Sequence, residues 1–267
     1  MLRFSGAGVS DVGLVRSSNE DSGFVAPYVA LVADGVGGAA AGEVASATSA
    51  YAVAATVLQR PGVEAARVVG EAFAAARDNV RLGVQRDLNR LGMATTLTVV
   101  VTDGRSVVLG HVGDSRAYLL RGGELRQITT DHTYVQHLVE TGRLSAQGRA
   151  THPWRNVVMR SIDGDPEGAE LDITRIDVRI GDRLMLCSDG LTDLVEDARL
   201  AAVLRARDPE EAAAELTAAA LRAGGKDNVT CVVVDVIDGP RVVGDGRLLG
   251  AVADWRNIVD AAAVRLA

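Results

Sequence analysis

At 267 residues the chain is long enough to bury one large core or two small ones, and its 48% of hydrophobic residues and well-mixed charges describe an ordinary globular protein. A formal net charge of −7 argues against the basic stripe by which nucleic-acid binders hold phosphate backbones. Two cysteines, Cys187 and Cys231, both inside apolar runs, exclude a disulfide framework and fit a reducing compartment.

An apolar run from Tyr28 to Ala33 stops at Asp34-Gly35-Val36-Gly37-Gly38. An Ala-rich helix is expected from about Gly42 to Gln59, broken at Pro61-Gly62, and a second from about Val63 to Leu88, where apolar residues return every three or four positions. Thr95 to Thr102, Ser106 to Val112 and Arg116 to Leu120 are β-branched or apolar runs parted by Asp-Gly, Gly-Asp and Gly-Gly turns, which predicts an antiparallel meander. Asp131 to Gly142 reads as helical, with His132 and His137 on its face, and Ser145 to Glu170 as polar, turn-rich and exposed. Strands are expected over Leu171 to Arg179, Leu184 to Ser188 and Val229 to Val236, with helices over Asp197 to Ala206 and Pro209 to Ala223.

Strands and helices fall in separate groups, so the fold class is α+β rather than a βαβ winding. Several strands are apolar on successive residues, so both faces must be covered. From Asp238 the chain becomes an appended arm with a terminal helix, in which Val252, Trp255, Ile258, Val259 and Ala262 pack on the protein's own body. No stretch there or elsewhere reads as a signal peptide or a bilayer span, so a cytoplasmic protein without a membrane partner is expected.

Four apolar strands begin or end at an aspartate in a tight turn: Asp34, Asp114, Asp189 and Asp227. If the strands are neighbours, their ends mass several carboxylates at one rim, where mutual repulsion raises their pKa values. A divalent cation removes that penalty, and hard oxygen donors favour Mg²⁺ or Mn²⁺ over zinc. Glu20 and Asp21, close to Arg16, add two more carboxylates. Any single Asp-Gly is ordinary turn chemistry; four at strand ends, beside an acidic pair, suggest a site.

The stretch from about Val9 to Val236 resembles the type 2C metal-dependent protein serine/threonine phosphatases in their bacterial form. The matching segments run in order: Arg16 to Asp21, Val32 to Gly38, Gly92-Met93-Ala94-Thr95-Thr96, Gly113-Asp114-Ser115-Arg116, Asp131-His132, His152 to Asn156, Cys187 to Asp193, and Lys226-Asp227-Asn228-Val229-Thr230. The resemblance implies a four-layer sandwich of two antiparallel sheets flanked by helices, residues 1–237 forming the phosphatase domain and about 131–170 a flap. It implies two Mn²⁺ or Mg²⁺ ions and a weaker third. Asp34 would bridge two ions, Asp189 and Asp227 would complete the first, and Gly35 would offer its carbonyl to the second. Glu20 and Asp21 would act on the second through waters, and Asp114, Asp189 and Asp193 would hold the third. Arg16 would grip the phosphate of a phosphorylated protein, in opposition to a serine/threonine kinase, and the chain would act as a monomer.

The rivals are weaker. A cysteine phosphatase needs an arginine a few residues beyond Cys187, where Asp193 stands, so Cys187 is a core residue. His111 packs inside a strand, and His152 is structural. Some family members carry a histidine general acid after the Asp-Gly pair; here that residue is Val36. Thr95 and Thr96 read as strand packing, and the bland reading of Arg16 is a surface pair with Glu20. A silent relative would normally lack one of Asp34, Asp189 and Asp227. A hydrolase of small phosphate esters would use the same centre.

Overall fold

A computed structural model describes residues 1–36, 41–165, 167–244 and 246–262; Gly37 and Gly38 lie outside the described residues. The strands are β1 (Leu2–Asp11), β2 (Ser22–Ala26), β3 (Val29–Ala33), β4 (Gly35–Val36), β5 (Ala94–Thr95), β6 (Leu97–Thr102), β7 (Val107–Val112), β8 (Arg116–Arg121), β9 (Glu124–Gln127), β10 (Asp172–Ile176), β11 (Arg183–Cys187), β12 (Val229–Asp238) and β13 (Arg247–Gly250). The helices are α1 (Gly42–Gln59), α2 (Ala65–Arg86), α3 (Tyr134–Glu140), α4 (Asp189–Thr192), α5 (Asp197–Ala206) and α6 (Pro209–Arg222). One sheet runs β1-β12-β11-β8-β9, the other β10-β7-β6-β3-β2-β13, and β4 pairs with β5.

Alternation along single strands produces the layers. In β12, Val229, Cys231 and Val233 face one apolar cluster with helices α5 and α6, while Val232, Val234 and Val236 face another. β11 divides the same way, Met185 and Cys187 outward, Leu184 and Leu186 inward. In the second sheet Val29 and Leu31 of β3 meet α1 and α2, and Ala30 and Val32 turn towards the first sheet. The result is helices, sheet, sheet, helices, with three apolar interfaces. Each fully buried Val or Leu contributes ~1.5–3 kcal/mol, so the doubly buried strands are the most stabilising parts of the sequence.

Helix character follows the covering. α2 buries Ala65, Val68, Val69, Ala72, Phe73, Ala76 and Val80 along one stripe. α1 is buried nearly all round, which its small side chains permit. α6 starts with Pro209 after Asp208, whose carboxylate accepts from the amide of Glu211 at 2.9 Å.

Three expectations are corrected. The helix expected from Asp131 starts at Tyr134, because Thr133 caps it, so His132 precedes the helix. Its ring is half-buried, in hydrogen-bond contact with the Gly113 amide and the Asp172 carboxylate. The arm forms no α-helix among the described residues. Arg247–Gly250 instead adds β13 to the edge of β2, followed by short 3-10 turns at Ala251–Ala253 and Trp255–Asn257. Val252, Ile258 and Val259 do pack on the α1–α2 layer, while Trp255 is exposed. Finally, Arg16 pairs with Asp227, not Glu20, at 2.8 Å.

Candidate metal centre

The aspartates at the strand ends meet at one rim of the sandwich. Asp34 follows β3 and Asp114 follows β7, both in the six-stranded sheet; Asp189 follows β11 and Asp227 precedes β12 in the five-stranded one. A cleft of about 160 Å³ is lined by Arg16, Glu20, Asp34, Gly35, Asp114, Asp189 and Asp227, together with Val36, Asn156, Val158 and Asn228. Asp193 stands outside it, on a wider neighbouring cleft of about 630 Å³ that also touches Asp114, Asp189 and Asp227. Asp21 lies buried, outside the cleft lining.

Packing so many carboxylates together costs ionisation. Burial raises Asp34 well above the ordinary range, and Asp21, Asp189, Asp114 and Asp227 push it further. Asp189 is raised well above it by burial and then by Asp114, Asp193 and Asp227. Burial takes Asp114 to about 7, with Asp131 adding to the shift. Asp21 is raised to about 6, again chiefly by burial, although the hydrogen bond from Ser188 pulls it back. Glu20 and Asp193 are also raised, mainly by burial.

These groups are spread over two adjoining clefts and the buried floor rather than gathered at one point. Among the described residues no three acidic, histidine or cysteine side chains stand as a closed set of metal ligands. Asp227 is also engaged by the Arg16 guanidinium at 2.8 Å. The donor chemistry fits hard divalent ions. Asp21 accepts from the Ser188 hydroxyl through Oδ2 at 2.6 Å, while its buried Oδ1 has no protein partner. Gly42, at the start of α1, also leaves room: a Cβ there would stand 2.4 Å from Glu20 Oε2 and 3.2 Å from the Gly35 carbonyl oxygen.

Residues not expected among the site groups, including Thr95 and Thr96, which read as strand packing, hold these groups in place. The Asp34 amide donates to Thr96 Oγ1 at 2.9 Å, and its carbonyl accepts from the Thr96 amide and the Thr95 hydroxyl. Thr96 Oγ1 is 2.8 Å from the hydroxyl of Ser115, the neighbour of Asp114. Asn228 accepts from the Glu20 amide and donates to the carbonyls of Val12 and Ser18, so it ties the Arg16 loop to β12. Ser188 joins Asp21 to the Thr230 amide. Their signal was polar residues at the ends of otherwise apolar strands.

The segment 131–170 is fastened at both ends. Arg116 holds Asp131 through Nε at 2.9 and 3.0 Å. Bridges Thr133↔Val158 and Thr95↔Ile162 return its far end to the floor of the site. Its residues Arg149, Arg155 and Asn156 face Asp193 and Lys226, the chain's single lysine, across the outer cleft. No histidine lines either cleft among the described residues.

A sequence model described as Protein phosphatase 2C matches residues 17–224. The serine/threonine protein phosphatase PstP of Mycobacterium tuberculosis is 43% identical over 238 residues, 89% of this chain but only 46% of that protein, so the chain spans about half the length of that relative. The serine/threonine phosphatase Stp of Listeria innocua is 32% identical over 238 residues, 85% of this chain and 93% of its own. The crystal structure of the M. tuberculosis phosphatase PstP/Ppp matches with a TM-score of 0.82 at 41% identity, covering 88% of this chain and 100% of that one. The PstP catalytic domain in complex with two manganese ions matches at 0.81, also 41% identical, over 89% and 100%.

Proposed function

The chain belongs to the protein phosphatase 2C family, and on that premise we propose that it hydrolyses phosphoserine and phosphothreonine in proteins at a centre of two Mn²⁺ or Mg²⁺ ions. The observation that carries this reading is the cleft itself: Asp34, Asp114, Asp189 and Asp227 converge beside Arg16, and Asp34, Asp114 and Asp189 are raised by burial and by neighbouring carboxylates. Such a cluster is stable at neutral pH only when positive charge enters it.

Asp34, Asp189, Asp227 and the Gly35 carbonyl would hold two ions, with Glu20 and Asp21 behind them and Asp114, Asp189 and Asp193 around a weaker third. Bound ions would lower the pKa of water and neutralise charge on the phosphoryl oxygens. Arg16 turns from Asp227 to the phosphate, where its planar fork makes paired charge-assisted hydrogen bonds. Asn228 keeps the Arg16 loop at the height the phosphate needs. Thr95 and Thr96 fix Asp34, so that less reorganisation remains during phosphoryl transfer, a reaction driven by positioning and charge neutralisation. With Val36 after the Asp-Gly pair and no histidine in the cleft among the described residues, the leaving hydroxyl takes its proton from water. The outer cleft receives the peptide on either side of the phosphorylated residue.

Residues 1–237 carry this chemistry, with 131–170 as the flap. The protein acts as a monomer in the cytoplasm, against a serine/threonine kinase; no helix among the described residues is long and apolar enough to cross a membrane. The test is phosphate release from a phosphothreonine peptide with Mn²⁺, with Mg²⁺ and with EDTA, on wild type and Asp189→Asn. Metal-dependent release, abolished by EDTA and reduced by orders of magnitude in a folded Asp189→Asn, is expected. A folded wild type that releases nothing with either ion would leave a silent phosphoprotein binder.

A further inference from the structure

Every backbone polar group of the Glu20–Asp21 pair is held, each by a different part of the chain. The Glu20 amide donates to Asn228 Oδ1 at 2.8 Å. The Glu20 carbonyl accepts from the Gly35 amide and from the Ser46 hydroxyl. The Asp21 amide donates to Asn19 Oδ1 at 3.1 Å. The Asp21 carbonyl accepts from the amide of Ala251, in the arm, at 2.7 Å. The arm therefore closes the last corner of a frame whose other partners lie in the body.

That corner is built for close approach. Gly250 pairs with Ser22 at the end of the β13–β2 ladder and has φ 69°. A Cβ on it would stand 2.2 Å from the Asp21 carbonyl oxygen and 2.6 Å from the Ser10 hydroxyl, so only glycine fits. Beyond it Ala251 and Val252 are buried. Thr48 of α1 donates to the Asn257 carbonyl and accepts from the Val259 amide, and Arg86 of α2 donates to the Val259 carbonyl and to Asp260. The segment is thus fastened to both helices that cover the six-stranded sheet, and it lies outside the region matched by the family model.

We propose that residues 247–260 are a positioning strap for the metal centre: by holding the Asp21 carbonyl, Ala251 fixes the buried, half-unpartnered Asp21 carboxylate beside the site. This rests on the metal-centre reading above. The physical reason is that groups behind metal ligands set ligand orientation, and their loss costs roughly 10–100-fold in metal affinity. Linkage makes the effect reciprocal: if the strap raises cation affinity, the cation must tighten the strap by the same factor.

Two variants separate positioning from plain stability. Ala251→Pro removes the donor to Asp21, while Val252→Ala removes apolar packing from the same segment without touching Asp21. Mn²⁺ binding is read by titration calorimetry, and melting in EDTA is read alongside. Expected is a loss of ~10-fold or more in Mn²⁺ affinity for Ala251→Pro, and affinity within about twofold of wild type for Val252→Ala although it melts lower. In wild type, hydrogen exchange of the Ala251 amide should slow ~10-fold on adding Mn²⁺; this stands as the test if Ala251→Pro does not fold. A folded Ala251→Pro with wild-type Mn²⁺ affinity overturns the strap, as does Ala251 exchange indifferent to Mn²⁺. Wild type that takes up no Mn²⁺ overturns the metal-centre reading and the strap with it.

Discussion

The α-carbon of Gly190 lies so close to Asn228 that a Cβ on it would stand 2.0 Å from the Asn228 carbonyl oxygen. The turn bearing Asp189 and the turn bearing Asp227 therefore touch through a residue with no side chain. Two elements of one sheet are brought together beside their carboxylates, and Asp227 helps to raise Asp189.

Gly190→Ala should consequently push the two turns apart. Forcing extra carbon into a packed contact costs ~1–3 kcal/mol of stability, and displacement of a catalytic group by about 1 Å costs ~100-fold in rate. Thermal melting in EDTA and kcat/KM for a phosphothreonine peptide measure the two effects. A variant within twofold of wild type in rate would mean that the turns can separate without consequence.

Thr96→Val should remove the acceptor of the Asp34 amide while keeping nearly the same shape. An unsatisfied buried amide costs ~1–3 kcal/mol, here at the backbone of the central carboxylate. Lower stability and weaker Mn²⁺ binding are expected, with Thr96→Ser close to wild type on both. Equal behaviour of the valine and serine variants would show that the hydroxyl is idle.

Arg16→Ala should raise KM for a phosphopeptide by ~10–100-fold, the equivalent of one or two charge-assisted hydrogen bonds, and leave kcat nearly unchanged if the arginine grips ground and transition states alike. Arg16→Lys should restore little, because a point charge lacks the fork. Initial rates over a range of peptide concentration decide it, and an unchanged KM would assign Arg16 to Asp227 alone.

Without a cation, stability should fall as pH rises towards neutrality. Asp114 holds its proton to about 7 when folded, against 3.8 ordinarily, so its contribution is fully present below the lower value and lost on passing the higher. His111, lowered to about 4 by burial and then by His132, acts in the opposite direction between about 4 and 6.5. Comparison with Asp114→Asn, which keeps His111, isolates the carboxylate. In EDTA the variant should gain in melting temperature relative to wild type between pH 4 and 7.5, and the gain should shrink when Mn²⁺ is added. A constant difference across that range would place Asp114 outside the repelling cluster.

Much of this was legible in the residues, for identifiable reasons. α1 and α5 have the bounds read from sequence, with the breakers Pro61-Gly62 and Pro209 soon after their ends. The doubly buried strands announced themselves by unbroken apolar runs. β1 did not, because Gly6 and Gly8 interrupt its pattern; a Cβ on Gly6 would stand 2.1 Å from the Val233 carbonyl oxygen, so closeness to β12 replaces a side chain. The arm misled because Val252, Trp255, Ile258 and Val259 have helical spacing, yet their neighbours are recruited by β2 and by Thr48. The cluster of aspartates was visible at the strand ends. The fastening of Asp34 by Thr96, 62 residues away, was not, since a hydrogen bond to a remote backbone leaves no local trace.

The ladder between β1 and β12 sets how the molecule would answer a mechanical load. Leu2 faces Asp238 at one end and Asp11 faces Val229 at the other, so Met1 and Asp238 emerge side by side, already joined at 2.7 Å. A pull applied between those two points peels the strands like a zipper, one rung at a time, rather than shearing ten rungs together. Peeling starts at the end remote from Asp227. The tension is spent before it reaches the loop that carries Arg16, and the working rim is the last part of that seam to open.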